Sequence, residues 1–314
     1  MKRKLKRAVI TGPTGAVGTA LCRELAENGI EVIAVCRPGS ARLGAVPSHD
    51  LIRTVQCDVS NLADLPRLIP EGADAFYHLA WAHTTGAGRN DMPAQINNIR
   101  YTIDAVGAAH ALGCQVFVGA GSQAEYGRVE GLLRPDTPCF PENGYGIAKL
   151  CAGQMSRIEC AKLGLDHIWT RILSVYGPGD GAASMISSVI RSLLARERPA
   201  LTAGVQLWDY LYSRDAATAF RLLAEHGVSG RIYPLGGGHA RPLREYIEIL
   251  RDSIDPALPL GLGEIPYGPL QVMHLEADIT ALKEDTGFVP ATDFTDGIRA
   301  TVRAYKKTNG MQNM

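Results

Sequence analysis

The 314-residue chain has no excess charge of either sign, since 32 Lys and Arg balance 32 Asp and Glu. No global field draws in a polyanion, and there is no basic stripe with interleaved aromatics, so nucleic acid is excluded as an expected partner. The chain also lacks an apolar run long enough to span a bilayer, and no membrane association is expected. Its seven cysteines are odd in number and scattered without a Cys-x-x-Cys pair, which argues against a disulfide framework and for a reducing, cytoplasmic compartment. The eight histidines show no ligand spacing with Cys, Asp or Glu, so no metal is expected. The basic opening Met1 to Arg7 leads into a short apolar run that stops at Thr11-Gly12-Pro13, too brief for a signal-peptide core, and reads as a solvated lead-in. Internal repeats and low-complexity segments are missing too.

What remains is a chain of ordinary globular hydrophobicity, long enough for one large α/β unit with a smaller appended lobe. Short β-branched runs alternate with longer amphipathic stretches in the first half, the pattern of βαβ units and a parallel sheet. Strands are expected at Ala8 to Thr11, Glu31 to Cys36, Ile52 to Cys57, Ala75 to Leu79, Val116 to Gly119 and Ile168 to Ile172. Helices are expected near Val17 to Asn28, Ala94 to Leu112 and Tyr145 to Leu163, the first stopped by Asn28-Gly29. The fold class is therefore a Rossmann-like doubly wound parallel sheet. After Tyr176-Gly177-Pro178-Gly179 the alternation weakens, and Pro- and Gly-rich pieces suggest a discontinuous second lobe. Residues 1–175 with about 205–238 are assigned to a dinucleotide-binding domain, and about 176–204 with 239–314 to a substrate-binding lobe.

The first strand runs into Gly12-Pro13-Thr14-Gly15-Ala16-Val17-Gly18 and then a helix. In that context Gly12 permits a tight turn, Gly15 lets backbone N–H groups approach a pyrophosphate, and Gly18 lets the helix pack closely on the strand. The helix N-terminus adds a favourable dipole and unpaired donors for the anion. The second strand ends at Cys36-Arg37 instead of an acid, so the usual acceptor for an adenosine ribose 2′-hydroxyl is missing. Arg37, with Ser40 and Arg42, either holds a 2′-phosphate or carries solvated surface charge, and NADP(H) is favoured over NAD(H). Asp58 is placed to accept from an adenine amino group or, equally, to cap a turn with Ser60.

Tyr145 and Lys149 are four apart on a helix and share one face. An ammonium there stabilises phenolate and brings a phenol of pKa near ~10 toward the working range, so that Tyr145 can pass a proton to or from a carbonyl oxygen. The strand Val116 to Gly119 delivers Ser122 to the same sheet edge, where its hydroxyl can donate to the reacting oxygen.

Thr11-Gly12-x-x-Gly15-x-x-Gly18, Asp58-Val59, His78-Leu79-Ala80, Asn98 with Thr102, Ser122 through Tyr126-Gly127, Tyr145-x-x-x-Lys149 and Arg171-x-x-Ser174-Val175-Tyr176-Gly177-Pro178 occur in that order. Together they resemble the extended short-chain dehydrogenase/reductases, and within them the NAD-dependent epimerase/dehydratase family, from Ala8 to about Arg303. The resemblance implies that Ala16 and Val17 contact the pyrophosphate, that Val59 accompanies Asp58 at the adenine, and that Leu79 and Ala80 line the cofactor. Lys149 would also hold the nicotinamide ribose, Ile172 and Leu173 would flank the nicotinamide amide, and Asn98 would join a polar network under the site. It further implies a nucleotide-sugar substrate and a homodimer formed through the helices Ala94 to Leu112 and Tyr145 to Leu163.

The sequence departs from relatives in ways that narrow the chemistry. Dehydratases of this family carry Asp-Glu where this chain has Gln123-Ala124, and 3,5-epimerase/reductases use a cysteine where it has Ala124, so both reactions are disfavoured. The substrate-gripping arginine of sugar-nucleotide members is replaced by Trp208, which either stacks on the ligand or packs as a core aromatic. Arg214, Arg241 or Arg244 is left to supply the cation, with Arg241 taken as a substrate contact. His83, Gln123 and Ser174 are further candidate contacts, His83 being equally readable as a hydrated loop residue. The expected activity is NAD(P)H-dependent reduction of a keto group on a nucleotide-linked deoxysugar. A C4 epimerase that retains NAD and a non-catalytic dinucleotide sensor are the alternatives.

Overall fold

The computed structural model describes residues 2–310. Six parallel strands open the fold: β1 (Arg7–Thr11), β2 (Glu31–Cys36), β3 (Ile52–Gln56), β4 (Ala75–His78), β5 (Val116–Ser122) and β6 (Asp166–Ile172). With a seventh, Ile232–Leu235, they form one sheet in which β3, β2 and β1 lie to one side and β4, β5, β6 and Ile232–Leu235 to the other. The winding reverses between β1 and β4, and the loops leaving their carboxyl ends open the crevice where α/β sheets bind ligands.

Helices α1 (Ala16–Glu27), α2 (Leu65–Leu68), α3 (Met92–Ala111) and α4 (Gly144–Leu163) connect these strands, and α5 (Met185–Leu194), α6 (Ser213–His226), α7 (Leu243–Asp252), α8 (Thr280–Thr286) and α9 (Phe294–Thr308) follow. Alternation along the strands divides the core. Ala8 and Ile10 face Leu21, Leu25, Phe220 and Leu223 of α1 and α6. Val9, Phe76 and Phe117 face Ala105, Val106 and Cys160 of α3 and α4. A third core joins Ile186 and Ile190 of α5, Tyr246 and Ile247 of α7, and Phe294 and Ile298 of α9. Residues Leu275 to Phe288 pack instead on the α1–α6 side of the sheet.

Three features differ from the sequence reading. Strand β5 continues past Gly119 to Ser122 because Gly119 and Gly121 are not turn residues: a Cβ on either would lie 2.3 Å from the Trp169 indole of β6. The edge strand Ile232–Leu235 escaped detection because it is short and contains Pro234, which only an edge tolerates. The basic lead-in is tied down, since Arg3 pairs with Asp166 and donates to Ala224 O at 3.0 Å.

Candidate active site

The glycine loop has the geometry that a pyrophosphate cradle requires. Gly12 has φ +71°, and a Cβ there would meet Ala80 N at 2.8 Å. A Cβ on Gly18 would lie 2.2 Å from Gly12 O, so α1 reaches the loop only as glycine. Gly15 has nothing nearer than 3.8 Å beyond its own Cβ position, and its side is open to a ligand. It also begins α1 with no side-chain cap and no acid in the first turn, leaving the N–H groups around Ala16 and Val17 to an anion. These residues fit a dinucleotide. Leu79 and Ala80 leave β4 directly opposite, with Leu79 N donating to Thr11 O at 3.2 Å.

At the adenosine end, Arg37 is exposed just after β2, and Arg42 reaches Gly179 O at 3.4 Å. Asp58 Oδ1 caps the turn beginning at Val59, accepting from Ser60 N at 3.0 Å and Ser60 Oγ at 2.8 Å.

Asn143 caps α4 by accepting from Gly146 N at 2.9 Å, and the first two turns carry Tyr145 and Lys149. Lys149 is 4% exposed. Its ammonium donates to Ala120 O at 2.5 Å, lies 3.7 Å from the Trp81 ring centroid, and is 5.8 Å from that of Tyr145. Burial brings its pKa down to about 7, with Glu125 opposing the change. Tyr145 is half-buried; burial raises its pKa, the Ser122 hydroxyl and the Arg89 cation pull it back, and Glu125 pushes it up. Ser122 closes β5 opposite Ile172 of β6, whose neighbour Leu173 is fixed by a bond to Leu235 O at 3.0 Å. The predicted Ser122, Tyr145 and Lys149 thus converge on the carboxyl edge beside the glycine cradle.

Among the residues expected to meet substrate, the Trp208 indole donates to Ser174 Oγ at 2.8 Å, joining two predicted contacts. Arg241 is the register partner of Trp208, and its guanidinium lies 5.6 Å from the Tyr246 ring. Arg214 reaches Glu27 on α1, and Arg244 pairs with Glu248 along α7. Gln123 is half-buried beside Ser122. His83 has φ +58° and turns its Nδ1 toward Asp91 at 3.5 Å, while its carbonyl accepts from Gln95 Nε2 at 3.1 Å.

Four residues near the site were not singled out from sequence. Glu125, 1% exposed, accepts from Ser122 N at 2.8 Å, from Arg171 Nε at 2.8 Å and from Trp169 Nε1 at 3.1 Å, so a buried ion pair underlies Ser122. The Ser122-x-x-Glu125 spacing of a capping box was a readable signal for it. Trp81 is locked by Gln95 Oε1 at 2.9 Å, and Asn98, holding Ala82 N and O at 3.0 Å each, braces the same turn. Arg89 lies 4.8 Å over the Tyr145 ring. Asp209, fully buried, accepts from Gly237 N at 2.5 Å and from Gly238 N and Ala277 N at 3.0 Å, holding three separate segments of the chain together. No cluster of metal-binding side chains occurs among the described residues, and no described helix is long and apolar enough to cross a membrane.

Comparison with known proteins agrees with this geometry. A dTDP-glucose 4,6-dehydratase of Streptomyces griseus is 26% identical, with 95% of this chain and 94% of the relative covered. A UDP-glucose 4-epimerase of Azospirillum brasilense is 25% identical, covering 96% and 92%. The structure of a UDP-N-acetylglucosamine 4-epimerase from Methanobrevibacter ruminantium M1, in complex with UDP-N-acetylmuramic acid, superposes with a TM-score of 0.87 at 23% identity, covering 98% of this chain and 100% of that one. A UDP-glucuronic acid 4-epimerase from Bacillus cereus in complex with NAD gives 0.84 at 20% identity, covering 96% and 99%. The family profile described as NAD dependent epimerase/dehydratase family matches residues 8–236. The chain belongs to the NAD dependent epimerase/dehydratase family and is an enzyme of the extended short-chain dehydrogenase/reductase type.

Proposed function

We propose that the enzyme reduces a keto group of a nucleotide-linked deoxysugar. The observation that carries this reading is the convergence of Ser122, Tyr145 and Lys149 beside the glycine cradle, with Gln123 and Ala124 supplying no second acid or base. The nicotinamide supplies the hydride when bound. Tyr145 gives its phenolic proton to the carbonyl oxygen, Ser122 donates a hydrogen bond to that oxygen, and Lys149 balances the phenolate charge that remains. Gly12, Gly15, Ala16, Val17 and Gly18 hold the pyrophosphate, Leu79, Ala80, Ile172 and Leu173 line the nicotinamide half, and the second oxygen of Asp58 accepts from adenine. Ser174, Trp208, Gln123, Arg241 and His83 form the side that meets the nucleotide sugar, with Arg241 supplying the cation that Trp208 has displaced.

Exposed Arg37, with no acid at the end of β2, supports NADP(H) over NAD(H). A homodimer is proposed through α3 and α4, on which Ile96, Ile147, Met155 and Ile158 are exposed. Seven free thiols, five of them buried, fit a cytoplasmic enzyme. A second reading, C4 epimerisation with a retained dinucleotide, is favoured by the 4-epimerases among the relatives. Incubation with NADPH and a 4-keto sugar nucleotide separates the two. Stoichiometric loss of NADPH absorbance supports reduction, whereas interconversion of UDP-sugars without net cofactor consumption refutes it.

A further inference from the structure

We propose that Arg89 is a positioning residue for the reaction, a second cation that holds negative charge on the Tyr145 phenol alongside Lys149. This rests on the hydride-transfer reading above.

The geometry separates the work of the two cations. The Lys149 ammonium is turned toward Ala120 O and the Trp81 ring, and its nitrogen is 5.8 Å from the Tyr145 centroid. The Arg89 guanidinium lies closer, 4.8 Å above the same ring. Among the described residues no carboxylate pairs with Arg89, and its Nε is buried without a hydrogen-bond partner. An arginine that is half-buried and not neutralised keeps its full charge, because guanidinium does not lose its proton in a protein. Its position is built in. Asn90 Oδ1 accepts from Gly144 N at 2.9 Å at the start of α4, and Gln95 Nε2 donates to Gly88 O at 3.3 Å, so the residues on both sides of Arg89 are anchored.

The other groups around the phenol do not duplicate this role. Ser122 approaches from the end of β5 and is neutral. Glu125, from the turn after β5, opposes phenolate but is engaged by Arg171 at 2.8 Å. Within the loop that carries Arg89, Asp91 is occupied by Ala94 N at 3.2 Å and faces His83 at 3.5 Å. Lys149 is brought down to about 7 by burial, whereas a guanidinium is a permanent cation. Arg89 therefore still stabilises phenolate on the alkaline side of neutrality, which lowers the pH at which Tyr145 gives up its proton.

The test is the pH dependence of Tyr145 itself in the NAD-loaded protein. Tyrosine carrying ¹³C at Cζ reports phenolate formation, and the signal lost in Tyr145→Phe assigns the residue. Arg89→Gln is expected to move the Tyr145 titration, and the matching limb of the kcat profile, upward by about one pH unit. Arg89→Lys is expected to restore most of the shift, and Arg89→Met, which keeps the side-chain bulk, to behave as Gln does. A titration and limb left in place by both neutral variants, or a rate loss equal at every pH, overturns the proposal. Turnover that survives Tyr145→Phe would instead refute the underlying reaction, and the two failures are distinct.

Discussion

Replacing Lys149 with methionine removes the proposed counter-charge to the Tyr145 phenolate and, below neutral pH, makes the protein more stable. The ammonium is buried, and its pKa falls from 10.5 to about 7 on folding. At about 1.36 kcal/mol per unit, the charged form costs roughly 5 kcal/mol relative to the neutral amine in the folded state. Lys149→Met relieves that cost but forfeits the charge-assisted bond to Ala120 O and the contact with Trp81, leaving a net gain of roughly 2–4 kcal/mol. The gain has a defined pH window. Below about 7 the lysine is protonated whether folded or unfolded and the penalty is complete. Between about 7 and 10.5 the unfolded chain binds more protons than the native one, the wild type gains stability as pH rises, and the advantage of methionine fades. Urea unfolding of both proteins at a series of pH values measures the difference directly. Methionine that destabilises below pH ~7, or a difference that stays constant across that window, would show that the ammonium is not desolvated by its surroundings.

Glu125→Gln removes the carboxylate that neutralises the buried Arg171 guanidinium, whose other contacts include Pro135 O at 3.4 Å and the Tyr126 ring, and is expected to cost about 3–5 kcal/mol in denaturant unfolding. A loss below about 1 kcal/mol would mean that the pair is solvated. Asp209, with its carboxyl pushed up to about 6 by burial against an ordinary 3.8, contributes stability that is complete below the unfolded value and is lost as pH rises through about 6. Asp209→Asn should therefore flatten the stability profile across that interval and cost about 1–3 kcal/mol on its acid side, since an amide offers only one acceptor oxygen to three N–H groups.

The sheet and the cradle were legible because their signals are local. Glycines at a strand-to-helix turn and a phenol one helical turn from an amine are written in nearby residues, and the turn after β1 and the end of β5 lie on the same carboxyl edge of the sheet. The capping-box spacing of Ser122 and Glu125 was equally local and passed unread, because attention fell on the serine hydroxyl and not on its backbone N–H. Other features have no signature in spacing. Trp81, in the loop after β4, meets Lys149 of α4, and Arg89 lies over Tyr145 from a loop that Asn90 ties to the start of α4. Trp169, placed by β6, explains glycines in β5 that look like turn residues in isolation. The three backbone donors of Asp209 come from segments far apart in the chain, and no periodicity could have joined them.

The central claim is that the Tyr145 hydroxyl transfers the proton. Its most direct test is Tyr145→Phe, with dinucleotide affinity by calorimetry and turnover of a keto sugar nucleotide measured on the same preparation. The account predicts cofactor affinity close to wild type and turnover reduced by roughly 10²–10⁴-fold; wild-type turnover in the phenylalanine variant would contradict it.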